Sequence, residues 1–494
     1  MASTRRSRPA EPGRGRPATK IGTHAARDTP KARASPRSGP VDPVVRALAA
    51  ALPAWRAATV QGALPLRVAV ALSGGRDSMV LLDALAQCAA ADASLTLQAV
   101  HVHHGLSPNA DAWTDFCRVQ CAKRGVPLTV HRIELARKSG ASLEATARKA
   151  RLAALAQTDA DVIALAHHAD DQAETVLLQL LRGAGPNGLA AMPALRRAAQ
   201  GPALARPLLA LPRADIVARA AARGVPWIDD ESNADTDVRR NFLRHEIAPR
   251  LAQAFPGYPA TLARAAAHQA ESALLADALA ARDGEHSIAD DPRLGSTLAR
   301  DALAALAVEA PHRAGNLLRW FLRLHGLRAP SAARLAAMLD QLVHAAPDAR
   351  VLLLHEGIAL GIHRGRIGVH APTVDPFAVP WRGESTLVLP HGLLEFAPVR
   401  GEGLAAEAIA RAPLSVRSRG GGERIRLRAD GRGETLKRLL QEAGIPHWQR
   451  DDFPLVWCGD ALAAVPGVAV AAAFRADAGA AGYDLRWRRS DVMR

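Results

Sequence analysis

Cysteine is scarce, with four in 494 residues. That count argues against a disulfide framework and suits a reducing compartment. Aromatic residues make up only 4% of the chain, with two tyrosines among them. The cores must therefore rely on Leu, Val and Ala, and broad platforms for stacking single-stranded bases are disfavoured. No apolar run is long enough to span a bilayer, and the N-terminus lacks the apolar core of a secretory signal. The expectation is a cytoplasmic chain with no membrane partner. No internal repeat is present, and the GxxxxGK[ST] pattern of a Walker A loop is absent. Acidic residues also fall short, 48 against 63 Lys and Arg, for a net charge of +15. Such an excess points to a polyanionic partner, nucleic acid first and an acidic membrane surface second.

What is present begins at Leu66. The alternating Val68, Val70 and Leu72 read as a strand with a covered face. Ser73-Gly74-Gly75-Arg76-Asp77-Ser78 follows as a tight turn, and Met79, Leu81, Leu82 and Leu85 begin a helical stripe. A helix N-terminus behind a glycine-rich turn presents backbone N–H groups to an anion, so the turn favours phosphate. A Gly pair alone would be an incidental strand–helix junction. The two serines and the Asp at the helix start favour nucleotide binding instead.

Residues 1–45 are rich in Arg, Pro, Ser and Gly without a hydrophobic period, and read as a disordered basic tail. Residues 46–235 alternate strand and helix signals, with strand candidates at 66–72, 95–104, 128–135 and 161–168 and a helix at 211–224. That order predicts an α/β fold with a doubly wound parallel sheet, its ligands at the carboxyl ends of the strands. Residues 236–372 read as mainly helical, with few strand signals before 351, and 385–494 as a small α+β domain.

Ala164-Leu-Ala-His-His-Ala-Asp-Asp-Gln-Ala-Glu-Thr175 gathers His167, His168, Asp170, Asp171 and Glu174 at a strand end and the first helical turn. The spacing pairs Asp170 with Glu174 at i, i+4. A carboxylate group for Mg²⁺-ATP or for an amine proton is one account. Helix capping and a His/Asp metal hydrolase site are the others. His101-Val-His-His104 alone lacks the three converging ligands that zinc needs. Ser142 sits at an N-cap position ahead of Arg148 and Arg151, which at i, i+3 suit a phosphate clamp or a solvated basic face. Arg182-Gly-Ala-Gly-Pro-Asn-Gly188 is a loop open to close ligand approach. Arg240 and Arg244, one turn apart, suit a phosphate or a surface charge run.

In order, SGGRDS, VHVHHGL, EATARKAR, AHHADDQAET, RGAGPNGLAAM, RPLL and ESNADTDVRRNFLRHEIAP resemble the motifs of the tRNA(Ile)-lysidine synthetase family of PP-loop ATP pyrophosphatases. The resemblance runs over about 66–250 and again over about 413–474. One departure is Gly421-Gly422-Glu423-Arg424, where the family more often has Gly-Asp-Arg. The resemblance implies an adenine nucleotide alpha hydrolase-like domain that uses ATP and Mg²⁺. It places Ser73, Gly74, Gly75, Arg76, Asp77 and Ser78 at the nucleotide, with Asp77 also at the metal. It implies catalytic work for Asp77, for Asp171 on the lysine amine, and for Arg148 on the reacting phosphate or base. His168, Glu174, Arg182, Arg240 and Arg244 follow as substrate contacts. The implied partners are free L-lysine and tRNA(Ile) with a CAU anticodon, and a homodimer stays open.

Rival readings keep one feature each. A PP-loop tRNA thiolation enzyme needs a sulfur-carrying cysteine pair or an iron–sulfur site, and Cys117 and Cys121 are i, i+4. A metal phosphohydrolase would be built on His167, His168, Asp170 and Asp171. A non-enzymatic RNA-binding protein would leave the SGGRDS loop without a purpose.

Overall fold

The computed structural model describes residues 42–59, 65–105, 107–133, 143–198, 201–231, 235–291, 293–346, 350–372 and 375–489. Residues 1–41 of the expected basic tail and the Ser142 cap lie outside these residues. The last residues of that tail, 42–45, instead cap and begin a helix, because Asp42 accepts the Val44 N–H and Pro43 suits a first turn. The chain divides into two compact units, one of residues 1–170 with 194–234 and the other of 171–193 with 235–494.

In the first unit, helix α1 (Pro43–Ala58) precedes β1 (Leu66–Ala71), α2 (Arg76–Ala91), β2 (Leu95–His103), α3 (Ala110–Lys123), β3 (Leu128–Arg132), α4 (Leu143–Ala156) and β4 (Val162–Ala164). Helix α5 (Ala169–Leu180) starts here, and the division falls within it, between Asp170 and Asp171. After the short helix α6 (Pro186–Leu189) come β5 (Leu195–Arg196), β6 (Ala203–Ala205) and α7 (Arg213–Arg223). The sheet order is β3-β2-β1-β4-β6-β5, parallel except for the β5–β6 pair. The expected doubly wound sheet is therefore present. β4 is shorter than the 161–168 run suggested, because 165–168 leaves the strand and leads into α5.

β1 pairs with β2 on one side and β4 on the other, with Val68 opposite Val162 and Val70 opposite Ala164. Strand order reverses here, so the segments after β1 and β4 emerge side by side at the carboxyl edge. Open α/β sheets bind ligands at such a point. Beneath it Val68, Val70, Met79, Leu81, Leu82 and Leu85 are fully buried. α2 thus presents its apolar stripe to the sheet and its N-terminus to the edge.

In the second unit, α8 (Arg239–Phe242), a π-helical turn Leu243–Ile247, α9 (Ala248–Ala254) and the long α10 (Tyr258–Gly284) lead to a segment expected to be mainly helical. It also holds a five-stranded antiparallel sheet, ordered β7-β8-β11-β10-β9. Its strands are β7 (Ile288–Asp291), β8 (Gly295–Ala299), β9 (Leu353–His355), β10 (Ile358–His363) and β11 (Arg366–His370). β7 and β8 escaped the sequence reading because Ile288-Ala-Asp-Asp291 and Gly295-Ser-Thr-Leu-Ala299 are short and carry no apolar alternation. Residues from 378 onward build three further antiparallel sheets, of five, four and two strands. The Trp448 ring stacks on His370 at 4.6 Å, and a Cβ at Gly361 would come within 2.6 Å of it. In the 421–424 departure, the Glu423 carboxylate turns back to accept N–H bonds from Gly420 and Gly421 at 2.6 and 2.7 Å. Gly421 and Gly422 supply the positive φ that this turn needs.

One buried ion group ties three helices of the first unit. Arg219 of α7, 3% exposed at its side chain, bonds Asp83 of α2 at 3.1 Å and Asp42, whose other role is to cap α1. Truncating a buried ion-pair member costs about 3–5 kcal/mol. Arg219→Ala should fall near the low end, since Asp83 keeps Arg124 and Arg223 within 3.6 Å. Chemical denaturation should register the loss. A midpoint equal to wild type would mean the group holds nothing together.

Candidate active site

The turn after β1 is made by its own side chains. Gly74 has φ +86, which favours glycine, and a Cβ there would press on Ile228 Cδ1 at 2.8 Å. Ser78 Oγ donates to the Gly75 carbonyl at 2.8 Å and lies 3.1 Å from Ser73 Oγ, while Ser73 N–H points at Ser78 Oγ at 3.3 Å. The two serines therefore brace the turn. The first backbone N–H groups of α2 have no acceptor within the helix, which leaves an anion seat at its start.

Asp77 follows in the first turn of α2. Its carboxyl is partly withdrawn from water, which raises its pKa. The His168 hydrogen bond and charge, together with Arg76 and Arg213, outweigh that and hold it below the usual carboxylate range. His168 Nε2 is 3.6 Å from Asp77, and its Nδ1 is 3.5 Å from Asp170. Asp170 also accepts the backbone N–H of Arg213 at 2.9 Å. Burial raises its pKa too, and again His168 and the Arg213 N–H win, for a net lowering. A histidine 2% exposed thus links the two strand-end segments through a carboxylate on either side.

Asp170 is therefore not the partner of Glu174 that i, i+4 spacing suggested. Within the second unit Glu174 joins Asp171 at i, i+3, and both are held by Arg240 and Arg244. The Nε atoms of Arg240 and Arg244 each meet a Glu174 oxygen at 2.7 Å. Their Nη2 atoms reach Asp171 Oδ1 at 3.3 and 3.0 Å. Two arginines read from sequence as suited to a phosphate or a surface charge run are here paired with carboxylates. Glu174 is 6% exposed at its side chain and Asp171 13%. Gln172 exchanges two hydrogen bonds of 3.0 Å with the backbone of Met192, closing the glycine-rich loop back on α5. Arg182 stands exposed in the turn after α5.

Arg148 is exposed on α4. Its charge is felt at Arg206, which the sequence reading passed over except as part of RPLL. Arg206 is 6% exposed, and burial lowers its pKa to about 10, with Arg196 and Arg148 pushing the same way. The available signal was an arginine directly after the apolar strand Ala203-Leu-Ala205, at a carboxyl strand end. Trp227 was missed as well; it lies under the Arg76 guanidinium at 5.7 Å.

The cysteines do not support sulfur transfer. Burial pushes the Cys117 thiol up to about 12 and the Cys121 thiol to about 11, so neither is a thiolate at neutral pH. Among the described residues no group of three His, Cys, Asp or Glu side chains could hold a metal ion. The phosphohydrolase reading has no ligand set there. No described helix is long and apolar enough to cross a membrane.

A carboxylate whose folded pKa is depressed stabilises the fold above its unfolded value, near 3.9. That contribution is lost as pH falls through the folded value. His168→Gln removes the largest lowering influence on both Asp77 and Asp170, so their carboxyls should return toward the ordinary range. The variant should bind ATP with its acid-side loss displaced to higher pH, read by titrating ATP affinity through the acid range. An acid limb superimposable on wild type would contradict the pairing.

Comparison with known proteins agrees with this geometry. Residues 57–251 match the PP-loop domain model, 302–367 the TilS substrate binding domain and 414–487 the TilS substrate C-terminal domain. The chain is 39% identical over 433 residues to the tRNA(Ile)-lysidine synthase of Nitrosomonas europaea, covering 86% of this chain and 93% of that one. It is 42% identical over 464 residues to the tRNA(Ile)-lysidine synthase of Burkholderia pseudomallei, covering 85% and 92%. Among solved structures, the U34-tRNA thiolase NcsA of Methanococcus maripaludis aligns at 16% identity and a TM-score of 0.37, covering 45% of this chain and 79% of that one. A TilS C-terminal domain aligns at 25% identity and a TM-score of 0.21, covering 24% and 99%. With three domain models in order and relatives matched along nearly their whole length, the chain belongs to the tRNA(Ile)-lysidine synthase family.

Proposed function

We propose that this enzyme uses ATP to join free L-lysine to C2 of the wobble cytidine in the CAU anticodon of tRNA(Ile), releasing AMP and diphosphate. The observation that carries the reading is the braced Ser73–Ser78 turn with Asp77 at its helix start, set at the strand-order reversal of a PP-loop domain. The C2 carbonyl of cytidine is amide-like and a poor electrophile. Transfer of AMP to its oxygen turns that oxygen into a leaving group. The ε-amine of lysine then attacks C2, and AMP departs with the electron pair of the C2–O bond.

The amine must lose a proton as it attacks, and a carboxylate is the suited base. We assign that task to Asp171. Glu174 has both oxygens taken by arginine Nε donors at 2.7 Å and serves as their anchor, whereas the contacts to Asp171 are longer. His168 orients Asp77. Arg240 and Arg244 fix the position of the carboxylate pair toward which the lysine amine would be drawn. Arg148 and Arg206 offer positive charge toward phosphate, and Arg182 is a weaker candidate for the same. For Mg²⁺ the residue is Asp77. Its Oδ1 is buried with no hydrogen-bond partner among the described residues, and a single carboxylate suits an ion that keeps phosphate and water as its other ligands. The ion's contribution is charge neutralisation at the phosphates.

Two outcomes test the assignment. With labelled lysine, Asp77→Asn and Asp171→Asn should each lower ATP-dependent incorporation into tRNA(Ile) by about 10²–10⁴-fold. Asp171→Asn should retain tRNA-dependent ATP–pyrophosphate exchange, and Asp77→Asn should lose it. Wild type that incorporates no lysine with ATP would overturn the reading. Because the chain carries a net charge of +15, tRNA affinity should fall steeply with salt. With six to ten phosphate contacts the loss is about 10³–10⁵-fold between roughly 50 and 200 mM. Salt-independent binding would remove the basic surface from the account.

A further inference from the structure

Position 76 lies in the Ser73–Ser78 turn at a place where the turn's own geometry makes no demand on the side chain. Gly74 is fixed by its φ, and Ser73 and Ser78 by the bonds that brace the turn. This chain puts a cation there. A solvated arginine would extend into water, yet the Arg76 side chain is only 21% exposed. Its Nε is buried with no hydrogen-bond acceptor among the described residues, and so is Asp77 Oδ1, 3.7 Å away. A buried N–H donor and a buried carboxylate oxygen thus face each other beyond hydrogen-bond distance. Groups left in that state are costly unless something completes them. The donor needs an anionic oxygen and the carboxylate oxygen needs a cation. A magnesium-bound pyrophosphate supplies both.

The side chain is held in place from a distant stretch of sequence. Arg76 lies over the Trp227 ring at 5.7 Å. The Ile228 N–H donates to the Gly74 carbonyl at 3.0 Å, and the Ile228 side chain covers the bare Cα of Gly74. The Trp227 indole N–H donates to Asp229 at 3.2 Å, which sets the plane of the ring. Trp227 is 39% exposed, so the ring is not there to fill a core. Its flat face is what the guanidinium uses.

We propose that Arg76 is a catalytic residue for pyrophosphate departure and that Trp227 is the positioning residue that keeps its guanidinium at the mouth of the turn. The proposal rests on the ATP-splitting reading above. When the cytidine oxygen attacks the α-phosphorus, the new O–P bond forms as the bond from the α-phosphorus to the α,β-bridging oxygen breaks, and that oxygen stays on the β-phosphorus. The electron pair of that bond leaves with the pyrophosphate, which gains one negative charge. Arg76 meets that charge with a charge-assisted hydrogen bond, and no proton is transferred.

Mg²⁺ and inorganic pyrophosphate, added to the full chain without tRNA, test this directly. Arg76→Met keeps the packing over the ring and removes the charge, and should weaken pyrophosphate binding by about 10–100-fold. Arg76→Lys should recover part of it. Trp227→Leu should weaken it by about two- to fivefold, the worth of an exposed cation–π contact, and Trp227→Phe should lie near wild type. Pyrophosphate should change tryptophan emission in wild type, and that change should vanish in Trp227→Phe while binding persists. The KM for lysine should stay constant in all four variants. Pyrophosphate affinity unchanged in Arg76→Met, or an emission response that survives Trp227→Phe, would overturn the proposal. Lysine incorporation by wild type separates that result from a failure of the broader reading.

Discussion

A parallel sheet whose strand order reverses between β1 and β4 has one edge position where two crossover connections diverge, and the chemistry of this chain is organised around that position. The two strands are in register over three residue pairs. The turn that ends β1 and the turn that ends β4 are therefore delivered to the same edge. The Asp77–His168–Asp170 link is the side-chain consequence, and it joins segments some ninety residues apart in sequence. Were β4 to pair elsewhere, the aspartate of the SGGRDS turn would lose the histidine that is the largest influence lowering its pKa.

Each unit meets the cost of withdrawing carboxylates from water in its own way. In the first, a histidine between two aspartates and a backbone N–H do the work. In the second, two arginines on adjoining helical turns converge on Asp171 and Glu174. The change from α-helical to π-helical winding at Leu243 falls between Arg240 and Arg244. Such local rewinding often accompanies functional side chains. A carboxylate pair held by donors from a separate segment can be aimed without any contribution from a bound ligand.

The turn, the strand before it and the helix after it were legible because each has its own period: alternation in β1, the apolar stripe in α2 and glycine between them. What stayed hidden depended on distance. Helix spacing allowed Glu174 either Asp170 or Asp171, since i+3 and i+4 positions both lie on its face. Only the position of Arg240 and Arg244 decided between them. Trp227 carries no local pattern and Arg206 only its place after a three-residue apolar strand, and their importance appears once β6 and the 225–229 segment are placed beside their neighbours. β7 and β8 are too short and too polar to announce themselves. The Glu423 departure was visible as a difference, but its cause, a carboxylate folded into its own glycine turn, belonged to the loop's shape.

Trp448 rests over Gly361 and Gly368 of neighbouring strands, with His370 against its face. Those positions cannot drift independently. A methyl at 361 would strike the indole, and a smaller residue at 448 would leave a groove along β10 and β11. Relatives of this chain should therefore carry the pair of small strand residues and the large ring together or lose them together. That makes position 361 a marker, readable from sequence alone, of whether a given relative seats its C-terminal segment on the middle sheet in the same way.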